Sequence, residues 1–385
     1  MLHVANFDDI KAGRVTDVYF TRTLEILKAK GIDKHVKAEI ITKSLPDGWE
    51  WAILAGVEES TNLLTTLNVS TRCMLEGTLF RPFQPVMEIE GMYTDFCVYE
   101  TALLGFLCQA SGVVTKAARC RKLAGDKSVI SFGARRMHPA LAPMIERNAY
   151  VGGCDGVATV VGAELLGIEP SGTMPHALIL VIGSTVEATR AFDEVIPPRV
   201  RRVSLIDTFN DEKFEAIYVA EAMGKDLYAM RLDTPASRRG NFRVLLQEVR
   251  WELDLRGFHH IKLFVSGGLD EPQIVELRDV ADAFGVGTSI SNAPVVDFAL
   301  DIIEIEGKPI AKRGKMSGSK NVWRCDQCFV DVMLPLGKRP GTCPCGGQYH
   351  QLLEPLTHQG KLVKTLPKPR DIRSYVLQQL ANVPI

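Results

Sequence analysis

No apolar run in this sequence approaches the roughly 20 residues that a membrane-spanning helix requires. The N-terminal stretch MLHVANFDDIKAGRV carries acids where a secretory signal would carry a basic flank and an apolar segment. Membrane insertion and export are therefore not expected, and the cytoplasm is the default compartment. Charge of one sign is also lacking. Lys and Arg number 45 against 46 Asp and Glu, for a net charge of -1, so no polyanion-binding face is implied and no nucleic-acid partner is expected. The GxGxxG and P-loop patterns are absent, which argues against the two common nucleotide folds. Disulfide-scaffold spacing is missing too: Cys73, Cys97, Cys108, Cys120 and Cys154 are scattered singly, as expected where thiols stay reduced.

What is present is an ordinary globular composition, 46% apolar and 24% charged, over 385 residues. That length exceeds the size at which single cores stop growing, so two or three domains are expected. From about residue 200, short β-branched or apolar runs alternate with segments of helical period, the signature of βα units around a parallel sheet. VSLID (203–207), LYAMRLD (227–233), IKLFVSGG (261–268) and ADAFGVG (281–287) read as strands. Between them, Phe214, Ile217, Ala220 and Met223, then Phe242, Leu245, Val249 and Leu253, keep helical spacing up to stops at Gly224 and Gly257. The expected fold is α/β: an N-terminal α+β domain over 1–110, an irregular α/β barrel over 111–295, and a C-terminal segment, 296–385, with a small zinc-ribbon-like domain at about 322–350.

Each of the four strands ends in a chemically loaded residue or a glycine pair: Asp207, Asp233, Ser266-Gly267-Gly268, and Gly285 with Gly287 before Thr288. In α/β barrels the C-terminal face carries the active site and the last turns carry phosphate. Two glycine turns in succession favour a phosphate cradle over tight turns alone. Acids at strand ends also cap helices, so Asp207 and Asp233 stand as either caps or sugar-facing carboxylates. Arg231 lies two residues before Asp233 and so points to the same side; it needs an anion, from Asp233 or from a substrate. SFGARRMHP (131–139) joins Phe132, a ring face, to Arg135 and Arg136, which are a phosphate clamp or a solvated turn. SGTMPHALIL places Thr173 and His176 before an apolar run that reads as another strand. A lone histidine is more often structural than catalytic.

Cys325-x2-Cys328, fourteen residues, then Cys343-x-Cys345 gives two close thiolate pairs. That spacing fits a closed tetrahedral zinc site better than free thiols, disulfides or an iron–sulfur cluster, and it leaves no open position for catalysis.

The ordered set TDVYF, YETALLGFLCQASG, SFGARRMHP, GGCDG, GTMPHAL, LIDTF, RLDT, SGGLD and FGVGTSIS resembles archaeal-type nicotinate phosphoribosyltransferases of the type II phosphoribosyltransferase fold over nearly the whole chain. The resemblance implies that the pyridine nitrogen of nicotinate displaces pyrophosphate from 5-phosphoribosyl-1-pyrophosphate. Mg²⁺ would bridge the pyrophosphate, and ATP would be hydrolysed through a phosphohistidine at His176. It further implies a homodimer, with room for a higher assembly, in which Phe132 and the partner subunit's Tyr19 stack on the pyridine ring. Arg231 with Thr173 would hold the carboxylate, Asp207 and Asp233 would face ribose, and Arg135 would contact phosphate. Gly268 and Gly287 would bind the 5-phosphate, with Ser266, Gly267, Gly285 and Thr288 of the same turns also lining the substrate site. Relatives carry an SGD-type loop after the RLD motif where this chain has TPASRRGN, making Arg238 and Arg239 candidate phosphate ligands. Same-fold alternatives are nicotinamide or quinolinate as acceptor, with Asp155 available for an amide, or a non-catalytic metabolite-binding relative.

Overall fold

A computed structural model describes residues 2–385, and the chain divides into two compact units. One comprises residues up to Thr115 together with Pro294–Ile385; the other is Lys116–Ala293. The C-terminal segment therefore shares a unit with the N-terminal domain, where the sequence predicts a third, separate one. The physical reason is long-range pairing. A seven-stranded sheet takes Phe298–Ile305 antiparallel to His35–Thr42, and Leu353–His358 antiparallel to Ser70–Met74. Buried Arg324 reinforces this: it grips Asp331 through two bonds of 2.8 Å and donates to the Leu79 carbonyl at 2.8 Å and Gln379 Oε1 at 3.2 Å. The cysteine pairs flank a small antiparallel sheet of Lys320–Cys325, Asp331–Pro335 and Tyr349–Gln351.

One helical stretch, Tyr93–Ala124, is long and apolar enough to cross a membrane by length and composition, which the sequence reading did not anticipate; half of that window is buried inside the protein. Leu103, Leu107, Val114 and Ala117 are core residues of this stretch, so its apolarity is accounted for by packing.

The second unit carries six parallel strands, β1 (Ser128–Ser131), β2 (Gly156–Val157), β3 (Val203–Leu205), β4 (Ala229–Leu232), β5 (Lys262–Val265) and β6 (Ala283–Val286). Their spatial order is β2-β1-β6-β5-β4-β3. This is the circular order of a barrel with one seam left open, between β2 and β3, so the barrel expected from sequence is a half-barrel. Only two residues of β2 pair with β1, and the chain between β2 and β3 is mostly helical: Val160–Leu166, His176–Ile182 and Thr185–Val195. The ALILVI run after His176 is thus a helix, entered at Pro175 and stopped at left-handed Gly183, where the sequence suggests a strand. Its Ile179 packs on Met174, Ala188 and Leu205.

The helices Glu212–Met223 and Phe242–Leu255 form where their periodicity places them. Within them Leu246 rather than Leu245 joins the buried face, and Phe214 is half exposed. Arg202 holds the turn into β3 by donating to the carbonyls of Asp193, Ile196, Pro197 and Val200.

Candidate active site at the C-terminal ends of the half-barrel strands

Strand alternation decides which side chains face inward. Leu205, Arg231 and Phe264 stand in one register row. Two residues on, the same alternation turns Asp207, Asp233 and Ser266 inward at the strand ends, and β1 sends Ile130 and Phe132 to the same interior, where they pack on Val203, Ala229 and Phe264.

Arg231 is the hub. Its Nε donates to Ser266 Oγ at 2.9 Å and its NH1 to Thr173 Oγ1 at 3.0 Å. Its NH2 lies 3.2 Å from Asp233 Oδ2, and the guanidinium sits 5.1 Å from the Phe132 ring centroid. Ser266 in turn donates to Asp233 Oδ1 at 2.6 Å. A half-neutralised guanidinium therefore lies against an aromatic face, an arrangement that suits a planar ring bearing a carboxylate.

His176, first residue of its helix, enters beside this group. Nε2 is 3.6 Å from Asp207 Oδ2 and 3.8 Å from Asp233 Oδ2, and Nδ1 is 3.0 Å from Thr208 Oγ1. The Asp207 side chain is only 1% exposed, and its Oδ1 is buried without a hydrogen-bond partner among the described residues. Burial pushes its carboxyl above the usual range; the charge of His176 opposes the rise and that of Asp233 adds to it. A buried carboxylate oxygen without a donor is costly unless a ligand hydroxyl or cation meets it.

The two glycine turns lie at the ends of β5 and β6. Gly267 and Gly268 both take positive φ, 90° and 68°, which strongly favours glycine. Ser289 Oγ donates to Asp270 Oδ1 at 2.7 Å, tying the second turn to the first, while Lys116 pairs with Asp270 at 2.6 Å. A Cβ at Gly285 would lie 2.5 Å from Phe132 Cδ2, so its bare backbone seats the Phe132 ring. Arg239 does not point into open space either. It donates to the Gly267 carbonyl at 2.9 Å and stacks on Phe242 at 4.7 Å, bracing the first turn from the TPASRRGN loop.

Three further residues singled out in the sequence lie outside the cluster around Arg231. Arg135 is exposed in the turn Ala134–Arg136 that follows Phe132. Tyr19 belongs to the other unit, 56% exposed on the helix Val18–Ala29, with its ring 4.3 Å from that of Phe20. Asp155 does not reach the site: it accepts from Arg121 at 3.0 Å and from the Val129 amide at 3.0 Å near the start of β1. Thr208, Asp270 and Ser289 join the site only in the folded chain; the one sequence signal for them is that Thr208 directly follows Asp207. A cavity of about 790 Å³ shares Phe132 and Thr173 with the site, but it reaches toward the N-terminal strand ends, past Ala229 and Ala283 to Lys127, Arg201 and Lys262. His176, Asp207 and Asp233 are not in its walls.

Known proteins resemble this chain in sequence and in fold. Residues 17–111 match the quinolinate phosphoribosyl transferase N-terminal domain and residues 113–301 match the corresponding C-terminal domain. Nicotinate phosphoribosyltransferase pncB2 of Mycobacterium tuberculosis is 30% identical over 80% of this chain and 68% of its own length; pncB1 of the same organism is 27% identical over 91% and 87%. A solved structure described as nicotinate-nucleotide pyrophosphorylase from Pyrococcus furiosus is 55% identical, covers 100% of this chain and 99% of its own, and superposes with a TM-score of 0.98. Human nicotinic acid phosphoribosyltransferase, 19% identical over 96% and 94%, shares the fold with a TM-score of 0.77. The chain belongs to the nicotinate phosphoribosyltransferase family.

Proposed function

We infer that this chain joins nicotinate to the phosphoribosyl group of 5-phosphoribosyl-1-pyrophosphate, releasing pyrophosphate and forming nicotinate mononucleotide for NAD salvage. The observation that carries the reading is Arg231, held by Thr173, Ser266 and Asp233 against the Phe132 ring. Nicotinate's carboxylate takes the outer edge of that guanidinium while its ring takes the aromatic face. Asp207 and Asp233 face the ribose, where positive charge develops as the C1–O bond breaks. The turns at Gly267–Gly268 and Gly287–Thr288 hold the 5-phosphate, with Arg135 on the pyrophosphate. Mg²⁺, when bound, neutralises charge on the leaving pyrophosphate; Asp207 Oδ1, buried without a donor, is the oxygen suited to face such a cation or a ribose hydroxyl.

The alternatives fit less well. An amide-reading carboxylate for nicotinamide would be Asp155, and it is spent on Arg121 and a backbone amide. Quinolinate's second carboxylate calls for a second cation beside Arg231, whose partners are two hydroxyls and a carboxylate.

We assign ATP coupling to His176 as a phosphohistidine. His176→Ala should abolish stimulation by ATP while residual transfer persists, because the ribose and phosphate contacts remain; stimulation surviving in that variant would remove the role. We also assign a homodimer in which the partner subunit's Tyr19 completes the acceptor site, in keeping with the exposure of Tyr19, and a cytoplasmic location.

The four cysteine sulfurs lie within 4.8 Å of one another, with separations of 3.4 Å and 3.5 Å between neighbours. Four thiolates about 2.3 Å from a central ion are spaced in this way, so the donor set fits structural Zn²⁺. Metal analysis of untreated protein should return about one zinc per chain. Substoichiometric metal with undiminished thermal stability would refute a structural site.

A further inference from the structure

We propose that Thr208 is the positioning residue that fixes the tautomer of His176 for phosphoryl transfer; this rests on the phosphohistidine reading above. An imidazole can attack phosphorus only through the nitrogen that holds a lone pair, so the ring's single proton must sit on the other. The surroundings of His176 pull that proton in opposite directions. Nε2 faces two carboxylates, Asp207 at 3.6 Å and Asp233 at 3.8 Å, which by charge draw the proton to Nε2 and would silence that nitrogen. Neither distance is a hydrogen bond. Nδ1 makes the ring's short contact, 3.0 Å to Thr208 Oγ1, and a hydroxyl oxygen there can accept from Nδ1–H. With Thr208 accepting, the proton stays on Nδ1 and the Nε2 lone pair points toward Asp207 and Asp233, where substrate binds.

The local build supports a dedicated contact. Thr208 directly follows Asp207 beyond β3, so one strand end delivers both the carboxylate beside Nε2 and the hydroxyl beside Nδ1. His176 reaches them from the first position of its helix, anchored on Leu205 of the same strand through Met174 and Ile179.

Nε2 forms the N–P bond to the terminal phosphorus of a nucleoside triphosphate, the bridging P–O bond breaks, and the diphosphate leaves with that electron pair. The ring is then an Nε2-phosphoryl imidazolium whose proton remains on Nδ1 in the bond to Thr208. Water later attacks phosphorus, the N–P electrons return to Nε2, and inorganic phosphate and one proton are released.

Two measurements on the full-length protein test this. Nitrogen-15 shifts of labelled histidine, with the His176 signal identified by its loss in His176→Gln, should show the Nδ1–H form dominant in the wild type. Thr208→Val, which is isosteric but cannot accept, should move the ring toward Nε2–H. Labelling from γ-³²P-ATP should fall about tenfold in Thr208→Val, the worth of one such bond; Thr208→Ala should fall likewise, and Thr208→Ser should recover the wild-type rate. Wild-type labelling in Thr208→Val, or an Nε2–H ring in the wild type, would overturn the proposal. Failure of the phosphohistidine reading looks different: the wild type itself would take no label, while the tautomer shift would still report on Thr208.

Discussion

Arg231→Ala should lower kcat/KM for nicotinate by roughly 10²- to 10³-fold, the usual consequence of removing one partner of a desolvated charge pair. The Arg231 side chain is 14% exposed and makes three polar contacts, to Ser266, Thr173 and Asp233. Its loss has two effects that add. The nicotinate carboxylate loses its cation, and Asp233, 3.2 Å away, keeps its negative charge in the same pocket and repels the substrate. Nicotinamide carries no charge, so its slow turnover should change far less, and selectivity between the two acceptors should collapse. Arg231→Lys should recover only part of the loss, because an ammonium cannot satisfy Ser266, Thr173 and the ligand from one planar fork. Steady-state kinetics with both acceptors decide the matter. Equal losses for the two would show Arg231 to be structural and place carboxylate recognition elsewhere.

The largest stability effect is expected at Arg324, far from the chemistry in sequence. Its side chain is 1% exposed and that of Asp331 5%. Burial alone would push the Asp331 carboxyl up, but the hydrogen bonds and charge of Arg324 outweigh this and hold it below the usual range. Arg324→Leu leaves a buried carboxylate with Arg81 and Gln84 as its remaining donors, and should cost about 3 kcal/mol at neutral pH. A depressed carboxyl stabilises the fold above its unfolded value, 3.8, and that contribution is lost as pH falls through the lower folded value. In Arg324→Leu the same carboxyl titrates more easily, so protonation relieves it and the deficit should narrow in acid. Urea unfolding at pH 7 and pH 4 measures both quantities. A deficit that widened in acid would contradict the ion pair as its source.

The half-barrel from β3 to β6 was legible because local signals there agree with tertiary structure. Short β-branched or apolar runs end in Asp207, Asp233 or glycine, and helical periods stop at Gly224 and Gly257. Strand parity alone put Arg231 and Asp233 on one side, and the structure joins them at 3.2 Å. Other features were hidden for physical reasons. ALILVI is too short and too uniformly apolar to reveal its period, so helix and strand look alike in it. The merging of 294–385 with the N-terminal residues depends on Leu353–His358 meeting Ser70–Met74, a pairing across some 280 residues that no local pattern encodes. Gly285 and Gly287 look the same in sequence whether they admit a phosphate or an aromatic ring, and only the folded chain shows the Phe132 ring 2.5 Å from where a Cβ on Gly285 would sit. The bond between His176 and Thr208 closes a 32-residue separation, so the hydroxyl that faces Nδ1 became visible only once the chain was folded.

The strand ends around Arg231 and Phe132 should accept nicotinate ahead of its close analogues. The most direct test is competition: purified protein, Mg²⁺ and limiting 5-phosphoribosyl-1-pyrophosphate, with equimolar nicotinate, nicotinamide and quinolinate, following each acceptor as it is consumed. Nicotinate should be used first and fastest. Equal or faster consumption of nicotinamide or quinolinate would contradict the assignment.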